Sequence, residues 1–417
     1  MDKFVIQSPC VLEGKVRING AKNAVLPLMA ASLLASGKSV IENVPDLRDV
    51  TTMIRLLEIL GAGVTFEGGV LTVDTRGLQG FEAPYDLVRT MRASIYVLGP
   101  LVSAHGRARV SLPGGCAWGP RPIDLHLMAL ERLGAEIELE HGYIDARCRR
   151  LKGAEVVFPI SSVGATAQAL MAACLAEGTT TLRNVALEPD ITELAVALAS
   201  AGARIDGIGS STMTIEGVDS IEPFRYRVIP DRIEAGTFAA AAVATGGNVT
   251  LERCNPSHMG AVIDALRMCG GTLEATKDSL SVHGPDRIEA AHLTTREYPG
   301  FPTDMQAQMI AVLCRARGTG TVRDTIYPDR FTHVPELRRL GATIRIDGNL
   351  AVITGVDALE GAPVMATDIR ASSALIIAAL IAKGETEISR VYHIDRGYER
   401  IEEKLRSLGA RIERVSG

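Results

Sequence analysis

The chain has 417 residues, of which 47% are hydrophobic and 22% charged, a composition typical of a globular protein with more than one hydrophobic core. Its 44 Lys and Arg against 49 Asp and Glu give a formal net charge of −5, and no basic block occurs, so no nucleic-acid partner is expected. The longest apolar run, residues 374–382, is far shorter than the ~20 residues that span a bilayer, and no signal-peptide core is present. We therefore expect a cytoplasmic protein without a membrane partner.

Seven cysteines and eight histidines are scattered along the chain, without a Cys-x-x-Cys or His-Glu-x-x-His pattern. This spacing predicts neither a disulfide framework nor a metal site. The glycines follow neither the Gly-x-Gly-x-x-Gly nor the Walker A pattern, so the usual motifs for NAD or ATP are missing. We expect no metal and no cofactor.

The N-terminal residues 4–14 align without a gap to residues 351–361 near the other end of the chain. After residue 409 the chain has room for only one more strand, so the last structural unit lacks a strand. We therefore expect residues 1–20 to complete that unit. The alternative is an open solenoid, in which the two ends would not need to pair.

An internal repeat runs through the rest of the chain. A helix-like segment ends six times in Leu-Gly-Ala or a close variant and is followed by an alternating strand. The repeated glycines are Gly61, Gly134, Gly202, Gly270, Gly341 and Gly409. A glycine just past a helix takes the positive φ that ends it. Each repeat also has an earlier helix of small residues, as at residues 24–35 and 165–176, followed by a strand.

The repeat predicts an α/β protein of six units, each about 70 residues long. We expect three units to form one domain over residues 21–229. The other three would form a second domain from residues 1–20 and 230–417. Two crossings between such domains would create a cleft, a usual place for a ligand.

Polar groups recur at the predicted start of the first helix in each unit. They are Lys22, Asn23, Arg89, Arg92, Ser161, Ser162, Asp231, Arg232, Asp304, Asp368 and Arg370. Helix N-termini carry unpaired N–H groups that bind anions, and cations there would add full charges. For Asp231, Asp304 and Asp368 an ordinary role as a helix cap is an equal alternative.

The loop of the second unit, residues 112–122, is the longest and most glycine-rich of its kind. Cys116 follows two glycines and precedes a cation, which favours exposure and the thiolate. Such a thiol acts as a nucleophile or as a general acid, although an inert thiol is the more common case. Arg121 stands between two prolines, which favours a fixed oxyanion partner over a solvated surface charge.

Seven stretches of the sequence resemble one family. They include the Asn-Gly-Ala-Lys-Asn run ending at Asn23, the Pro-Gly-Gly-Cys run ending at Cys116 and the Phe-Pro-Thr-Asp run ending at Asp304. The full set covers residues 18–27, 90–94, 112–116, 121–125, 162–166, 301–308 and 393–400. In these stretches the chain looks like the UDP-N-acetylglucosamine 1-carboxyvinyltransferases. The resemblance covers the whole chain and implies the enolpyruvyl transferase fold, a two-domain inside-out α/β barrel of six βαβαββ-type units.

The resemblance also implies an activity. The enolpyruvyl group of phosphoenolpyruvate would pass by addition–elimination to the 3′-hydroxyl of UDP-N-acetylglucosamine, releasing phosphate in the first committed step of peptidoglycan synthesis. Cys116 matches the general acid, which also forms a covalent phosphoenolpyruvate adduct, and Asp304 matches the proposed base; Lys22 and Arg396 complete the catalytic set. The implied phosphoenolpyruvate ligands are Lys22, Asn23, Arg121, Arg370 and Arg396. The implied UDP-N-acetylglucosamine ligands are Arg92, Arg121, Pro122, Ile123, Asp124, Leu125, Ser161, Ser162, Val163, Asp304 and Ile326.

The chain departs from the family pattern at two places. Trp118, the single tryptophan, and Pro120 stand where small or aliphatic residues are more usual, and Ile160 stands where some members have a lysine. Three alternatives stay open: a 5-enolpyruvylshikimate-3-phosphate synthase-like transferase, a non-catalytic UDP-sugar-binding paralogue, and a paralogous UDP-N-acetylglucosamine enzyme with a regulatory role. The Cys116 loop argues against the first, and the joint presence of an acid and a base argues against the second. The sequence leaves the oligomeric state open.

Overall fold

The computed structural model describes residues 2–112 and 123–416. Cys116, Trp118, Pro120, Arg121 and Pro122 lie outside the described residues. The chain divides into two compact units. The terminal unit comprises Met1–Asn19 and Pro230–Gly417, and the middle unit comprises Gly20–Ile229.

The chain begins with two strands of the terminal unit, β1 (Lys3–Ser8) and β2 (Glu13–Arg17). The helices of the middle unit are α1 (Lys22–Ala31), α2 (Arg48–Ile59), α3 (Tyr85–Val88), α4 (Leu98–His105), α5 (Asp124–Arg132), α6 (Val163–Ala173) and α7 (Pro189–Ser200), with 3-10 turns at Ser32–Leu34 and Arg92–Val97. Its strands are β3 (Lys38–Glu42), β4 (Gly63–Glu67), β5 (Val70–Asp74), β6 (Glu82–Ala83), β7 (Arg107–Ser111), β8 (Glu136–Glu140), β9 (Tyr143–Arg147), β10 (Glu155–Val157), β11 (Thr179–Arg183), β12 (Arg204–Asp206), β13 (Thr212–Glu216) and β14 (Arg225–Arg227).

The rest of the terminal unit follows. Its helices are α8 (Arg232–Thr245), α9 (Gly260–Met268), α10 (Gln306–Leu313), α11 (Val334–Arg339), α12 (Ile369–Ile381) and α13 (Ile401–Ser407), with 3-10 turns at Pro256–Met259, Thr303–Met305 and Val391–Arg396. Its strands are β15 (Asn248–Glu252), β16 (Thr272–Ala275), β17 (Ser279–His283), β18 (Ile288–Glu289), β19 (His292–Thr294), β20 (Ala316–Arg317), β21 (Thr319–Arg323), β22 (Thr343–Asp347), β23 (Leu350–Thr354), β24 (Leu359–Glu360), β25 (Pro363–Met365), β26 (Ala382–Ser389) and β27 (Arg411–Val415).

One sheet pattern recurs in both units. In the middle unit the strand orders are β14-β3-β5-β4, β6-β7-β9-β8 and β10-β11-β13-β12. In the terminal unit they include β2-β15-β17-β16 and β19-β21-β23-β22. The first two strands in each order are parallel and the remaining pairs are antiparallel. In the pairs β6–β7, β10–β11 and β19–β21 the two parallel strands follow each other within one repeat, and the crossover that such a pair needs contains a helix, which produces the βαβαββ order.

The N-terminal segment serves two sheets, so one expectation is partly wrong. As predicted, β1 joins the sixth repeat, where it pairs antiparallel with β26 and with β27. In contrast, β2 pairs parallel with β15 of the fourth repeat, so residues 13–17 do not complete the sixth. The reason is that each sheet of the recurring pattern contains one parallel strand pair. The strand that precedes α8 along the chain, β14, pairs with β3 of the first repeat. The parallel position beside β15 is therefore taken by β2.

Helices of small residues form the core of each unit. In α12 every residue from Arg370 to Ile381 is buried, and in α6 the same holds from Ala165 to Ala173. A helix buried on all sides is apolar all round and lacks the usual amphipathic pattern. The low aromatic content of 4% therefore reflects cores in which alanine allows close helix packing. Among the described residues, no helix is long and apolar enough to cross a membrane.

Candidate active site

Two of the three candidate carboxylates at helix starts are ordinary caps. The Oδ1 atom of Asp231 accepts hydrogen bonds from the backbone N–H groups of Ile233 and Glu234, at 2.8 and 3.0 Å. The Oδ1 atom of Asp368 accepts in the same way from Arg370 and Ala371, at 2.8 and 3.0 Å. Both carboxylates thus satisfy the free N–H groups at the start of α8 and α12.

Asp304 differs from these two caps. It lies in the 3-10 turn Thr303–Met305 before α10, and neither helix start there has a side-chain cap. Its Oδ1 lies 2.8 Å from Nη2 of Arg330, and its Oδ2 lies 2.9 Å from Nη2 of Arg370. Each arginine side chain is only 6% exposed, whereas the Asp304 side chain is 26% exposed. A solvent-accessible carboxylate is therefore held between two buried cations.

A buried hydroxyl group contacts the Arg370 nitrogen that does not face Asp304. Its Nη1 donates to the Tyr398 hydroxyl at 3.3 Å, and that hydroxyl lies 2.8 Å from Oγ1 of Thr237. Gln308 donates from Nε2 to the same Oγ1 and to the backbone carbonyl of Asp304. Burial by itself favours the neutral guanidine, but Asp304, Tyr398 and Asp231 together outweigh it, with Asp304 the strongest of the three, and raise the pKa of Arg370 above its usual value.

The middle unit places a lysine at the start of α1. Lys22 is the first residue of that helix, and its Nζ lies 3.8 Å from Oδ2 of Asp49, a buried carboxylate in the first turn of α2. Asn23 follows it in the same turn. The ion pair with Asp49 keeps a largely buried ammonium group at the positive end of a helix, where an anion is favoured.

The other candidates of the middle unit also lie at element starts. Arg92 opens the 3-10 turn Arg92–Val97. Ser162 caps α6 by accepting from the N–H of Ala165 at 3.3 Å, next to half-buried Ser161, and Val163 opens that helix. Ile123, Asp124 and Leu125 form the start of α5.

His126 is in the first turn of α5, and its ring lies against Gly164 at the start of α6. It is 8% exposed, and a Cβ atom added at Gly164 would lie 2.8 Å from its Nε2. Burial lowers the pKa of His126 to about 4, while the nearby Asp124 opposes this shift weakly. The ring is therefore neutral at physiological pH.

The structure brings some of the predicted residues together. Asp304 and Arg370 are in direct contact, and Ile326 lies in the loop that also carries Arg330. Arg396 ends the 3-10 turn Val391–Arg396, two residues before Tyr398. The predictions for Cys116, Arg121 and Pro122 fall outside the described residues. Among the described residues, no group of three or more His, Cys, Asp or Glu could hold a metal ion.

Sequence reasoning did not assign a site role to Arg330, Asp49 or Tyr398. A signal existed for Arg330, because it ends a Tyr-Pro-Asp-Arg run in the same type of loop that carries Cys116 in the second repeat. Asp49 had no signal beyond its position in the first turn of a helix. Tyr398 lies in one of the family-like stretches, but its contact with Arg370 is visible only in the tertiary structure.

The sequence also matches known proteins over its whole length. The profile of the EPSP synthase family, described as 3-phosphoshikimate 1-carboxyvinyltransferase, matches residues 6–405. A UDP-N-acetylglucosamine 1-carboxyvinyltransferase of Solidesulfovibrio magneticus is 53% identical over 416 residues, with 100% of both chains covered. One of Chlorobium phaeovibrioides is 52% identical over 417 residues, covering 99% of this chain and 98% of its own.

The chain belongs to the UDP-N-acetylglucosamine 1-carboxyvinyltransferase family. The resemblance inferred from the sequence is thereby confirmed, and the chain is a transferase. The solved structure of the enolpyruvyl transferase NikO from Streptomyces tendae superposes with a TM-score of 0.88 at 27% identity. That match covers 100% of this chain and 99% of the other, which confirms the predicted enolpyruvyl transferase fold.

Proposed function

We propose that this chain transfers the enolpyruvyl group of phosphoenolpyruvate to the 3′-hydroxyl of UDP-N-acetylglucosamine and releases phosphate. The names of its relatives support this reaction and, with it, a role in peptidoglycan synthesis. In the same proposal the enzyme works in the cytoplasm on these two small molecules and uses no cofactor. The structural observation that carries the proposal is the accessible Asp304 carboxylate held between Arg330 and Arg370.

The reaction is an addition followed by an elimination. The hydroxyl oxygen forms a bond to carbon 2 of phosphoenolpyruvate while carbon 3 takes up a proton. Carbon 3 then loses a proton as the bond from carbon 2 to the phosphate oxygen breaks, which restores the double bond and releases phosphate. The chemistry needs a proton donor, a proton acceptor and several cations for a multiply charged substrate.

The residues supply these groups in the proposal. Cys116 donates the proton to carbon 3 and also forms the covalent adduct with phosphoenolpyruvate. Asp304 accepts the proton of the hydroxyl: two guanidinium groups keep the carboxylate ionised, a state that suits a proton acceptor when the hydroxyl is activated by its position. The proposed phosphoenolpyruvate ligands are Lys22, Asn23, Arg121, Arg370 and Arg396.

UDP-N-acetylglucosamine is assigned to residues at the starts of helices and in loops. Backbone N–H groups at the start of α6 suit the negative diphosphate, because a helix N-terminus favours anions. Asp304 would contact the sugar hydroxyl. The remaining proposed ligands are Arg92, Arg121, Pro122, Ile123, Asp124, Leu125, Ser161, Ser162, Val163 and Ile326.

Phosphate release from phosphoenolpyruvate tests the proposal directly. UDP-N-acetylglucosamine and shikimate 3-phosphate are offered separately as acceptors, and we expect release only with the first. Asp304→Asn keeps the shape of the side chain but removes its charge, and should lower kcat at least ~100-fold. Asp264→Asn is the matched control, because Asp264 is a 72% exposed carboxylate that pairs with Arg267 on the surface of the same unit. Release with shikimate 3-phosphate, or with neither acceptor, would refute the proposal.

A further inference from the structure

Asp324 is a fully buried carboxylate at the end of β21. Its Oδ1 accepts from the Thr295 hydroxyl at 2.8 Å and from the N–H groups of Ile326 and Tyr327 at 3.0 and 2.9 Å. Its Oδ2 accepts from the Thr303 hydroxyl at 2.7 Å. These four hydrogen bonds hold the carboxylate in one position, because the cost of burying it is offset only while the bonds are made.

The turn at Asp324 differs from the corresponding turns of other repeats. The residue that follows the equivalent strand has a positive φ in four other repeats; these residues are Asn43, Asn184, Arg253 and Arg390. Asp324 is not among the described non-glycine residues with positive φ. Its side chain instead accepts hydrogen bonds from the N–H groups two and three residues further on, as in an Asx turn. The loop that leads to Ile326 and Arg330 is thus built around this carboxylate.

The Thr303 hydroxyl connects Asp324 to the Asp304 pair. The hydroxyl donates its hydrogen bond to Oδ2 of Asp324, so the Thr303 oxygen remains available as an acceptor. Nη1 of Arg330 donates a hydrogen bond to this oxygen at 3.0 Å. The other terminal nitrogen of Arg330, Nη2, lies 2.8 Å from Oδ1 of Asp304. A guanidinium group is planar and rigid, so fixing Nη1 also fixes the direction of Nη2.

We propose that Thr303 is a positioning residue of the reaction: its hydroxyl, oriented by Asp324, holds Arg330 in the geometry that pairs with Asp304. The same carboxylate fixes the backbone of Ile326, so Asp324 ties the Asp304–Arg330 pair to a loop that carries a proposed sugar-nucleotide ligand. This inference rests on the proposed function, because it assigns Asp304 as the proton acceptor.

Thr303→Val removes the hydroxyl and keeps the shape of the side chain. We expect kcat to fall ~10- to 100-fold, since small displacements of a reacting group are costly, while KM for UDP-N-acetylglucosamine changes less than ~3-fold. Thr303→Ser keeps the hydroxyl and should restore kcat to within ~3-fold of the parent. If Thr303→Val does not fold, Thr303→Ala takes its place. Alanine also lacks the hydroxyl and needs less space, so we expect the same fall in kcat.

Thr295→Val is the matched control. It removes a second threonine hydroxyl from the same carboxylate, but among the described residues the Thr295 hydroxyl bonds only Asp324 and the backbone N–H of Thr325, and not Arg330. We expect this variant to lose at least as much thermal stability as Thr303→Val and to keep kcat within ~3-fold of the parent. A merely structural role for Thr303 would instead give the two variants the same kcat.

A crystal structure of Thr303→Val tests the geometry without any activity. The contact between Arg330 Nη2 and Asp304 Oδ1 should lengthen beyond about 3.5 Å, the limit of a hydrogen bond. An unchanged contact, a parent-like kcat in Thr303→Val, or no rescue by serine would overturn the positioning role. Absence of phosphate release from the parent enzyme with UDP-N-acetylglucosamine would overturn the proposed function instead.

Discussion

Replacing Asp304 by alanine leaves two buried guanidinium groups without the anion that they share. The contact with Arg370, at 2.9 Å, is a charge-assisted hydrogen bond, and the contact with Arg330, at 2.8 Å, is an ion pair; we assign each of them ~1.5–3 kcal/mol of stability, the range for hydrogen bonds to charged groups. Asp304 is 26% exposed, so water screens part of this energy and the lower value applies to each contact. We therefore expect Asp304→Ala to lower the free energy of unfolding of the terminal unit by ~3 kcal/mol.

Hydrogen exchange distinguishes the two units. The slowest amides of α12 report the unfolding of the terminal unit, and those of α6 report the middle unit. At pH 7 and low salt, a loss of ~3 kcal/mol corresponds to exchange ~100-fold faster in α12, while α6 should be unchanged. The double variant Asp304→Ala/Arg330→Met should recover ~1 kcal/mol or more, because it removes one unpaired buried charge. A loss below ~1 kcal/mol, or effects that simply add in the double variant, would refute the reasoning.

Two further predictions concern the middle unit. Burial lowers the pKa of His126 to about 4 in the folded protein, so the unfolded chain binds the proton more tightly. The folded state therefore keeps its full stability above pH ~6.5. As the pH falls from there toward 4, the free energy of unfolding should decrease by ~1.4 kcal/mol per pH unit. Urea unfolding at pH 7.5 and 5.5 should therefore depend less on pH in His126→Asn, but not in His141→Asn, whose histidine is 81% exposed; equal slopes in parent and His126→Asn would contradict this. Gly217→Ala should destabilise by more than ~2 kcal/mol, because its Cβ would lie 1.6 Å from the Ala176 carbonyl oxygen. The comparison variant Gly260→Ala lies in α9 of the terminal unit, where the added Cβ meets nothing within 4 Å, so it should be neutral or stabilising by ~0.5–1 kcal/mol in the same unfolding assay; a similar loss in both variants would argue against the clash.

Local rules made the repeat visible in the sequence. The six glycines that end the predicted helices all have positive φ, between 89° and 99°. A residue without Cβ adopts this conformation at no steric cost, so the signal depends only on the residue itself and its immediate neighbours. The same is true of Ser162 and of the caps Asp231 and Asp368, whose bonds reach only two or three residues along the chain.

Contacts between distant residues were beyond such rules. The sequence predicted that residues 13–17 belong to the sixth repeat. These residues form β2, which instead provides the parallel strand beside β15 in the sheet of the fourth repeat. The site residues inferred only from the family, including Lys22 and Arg396, stay predictions.

The sequence by itself therefore determined the six repeats, the α/β class and the family, since periodicity, helix ends and motifs are local properties of the chain. The tertiary structure decided which of three similar carboxylates is the unusual one. Asp231, Asp304 and Asp368 occupy equivalent positions, and either a cap or an ion pair suited each of them. Only the fold brings Arg330 and Arg370 to Asp304, because an ion pair depends on where distant segments meet, whereas a cap needs only the N–H groups of its own helix.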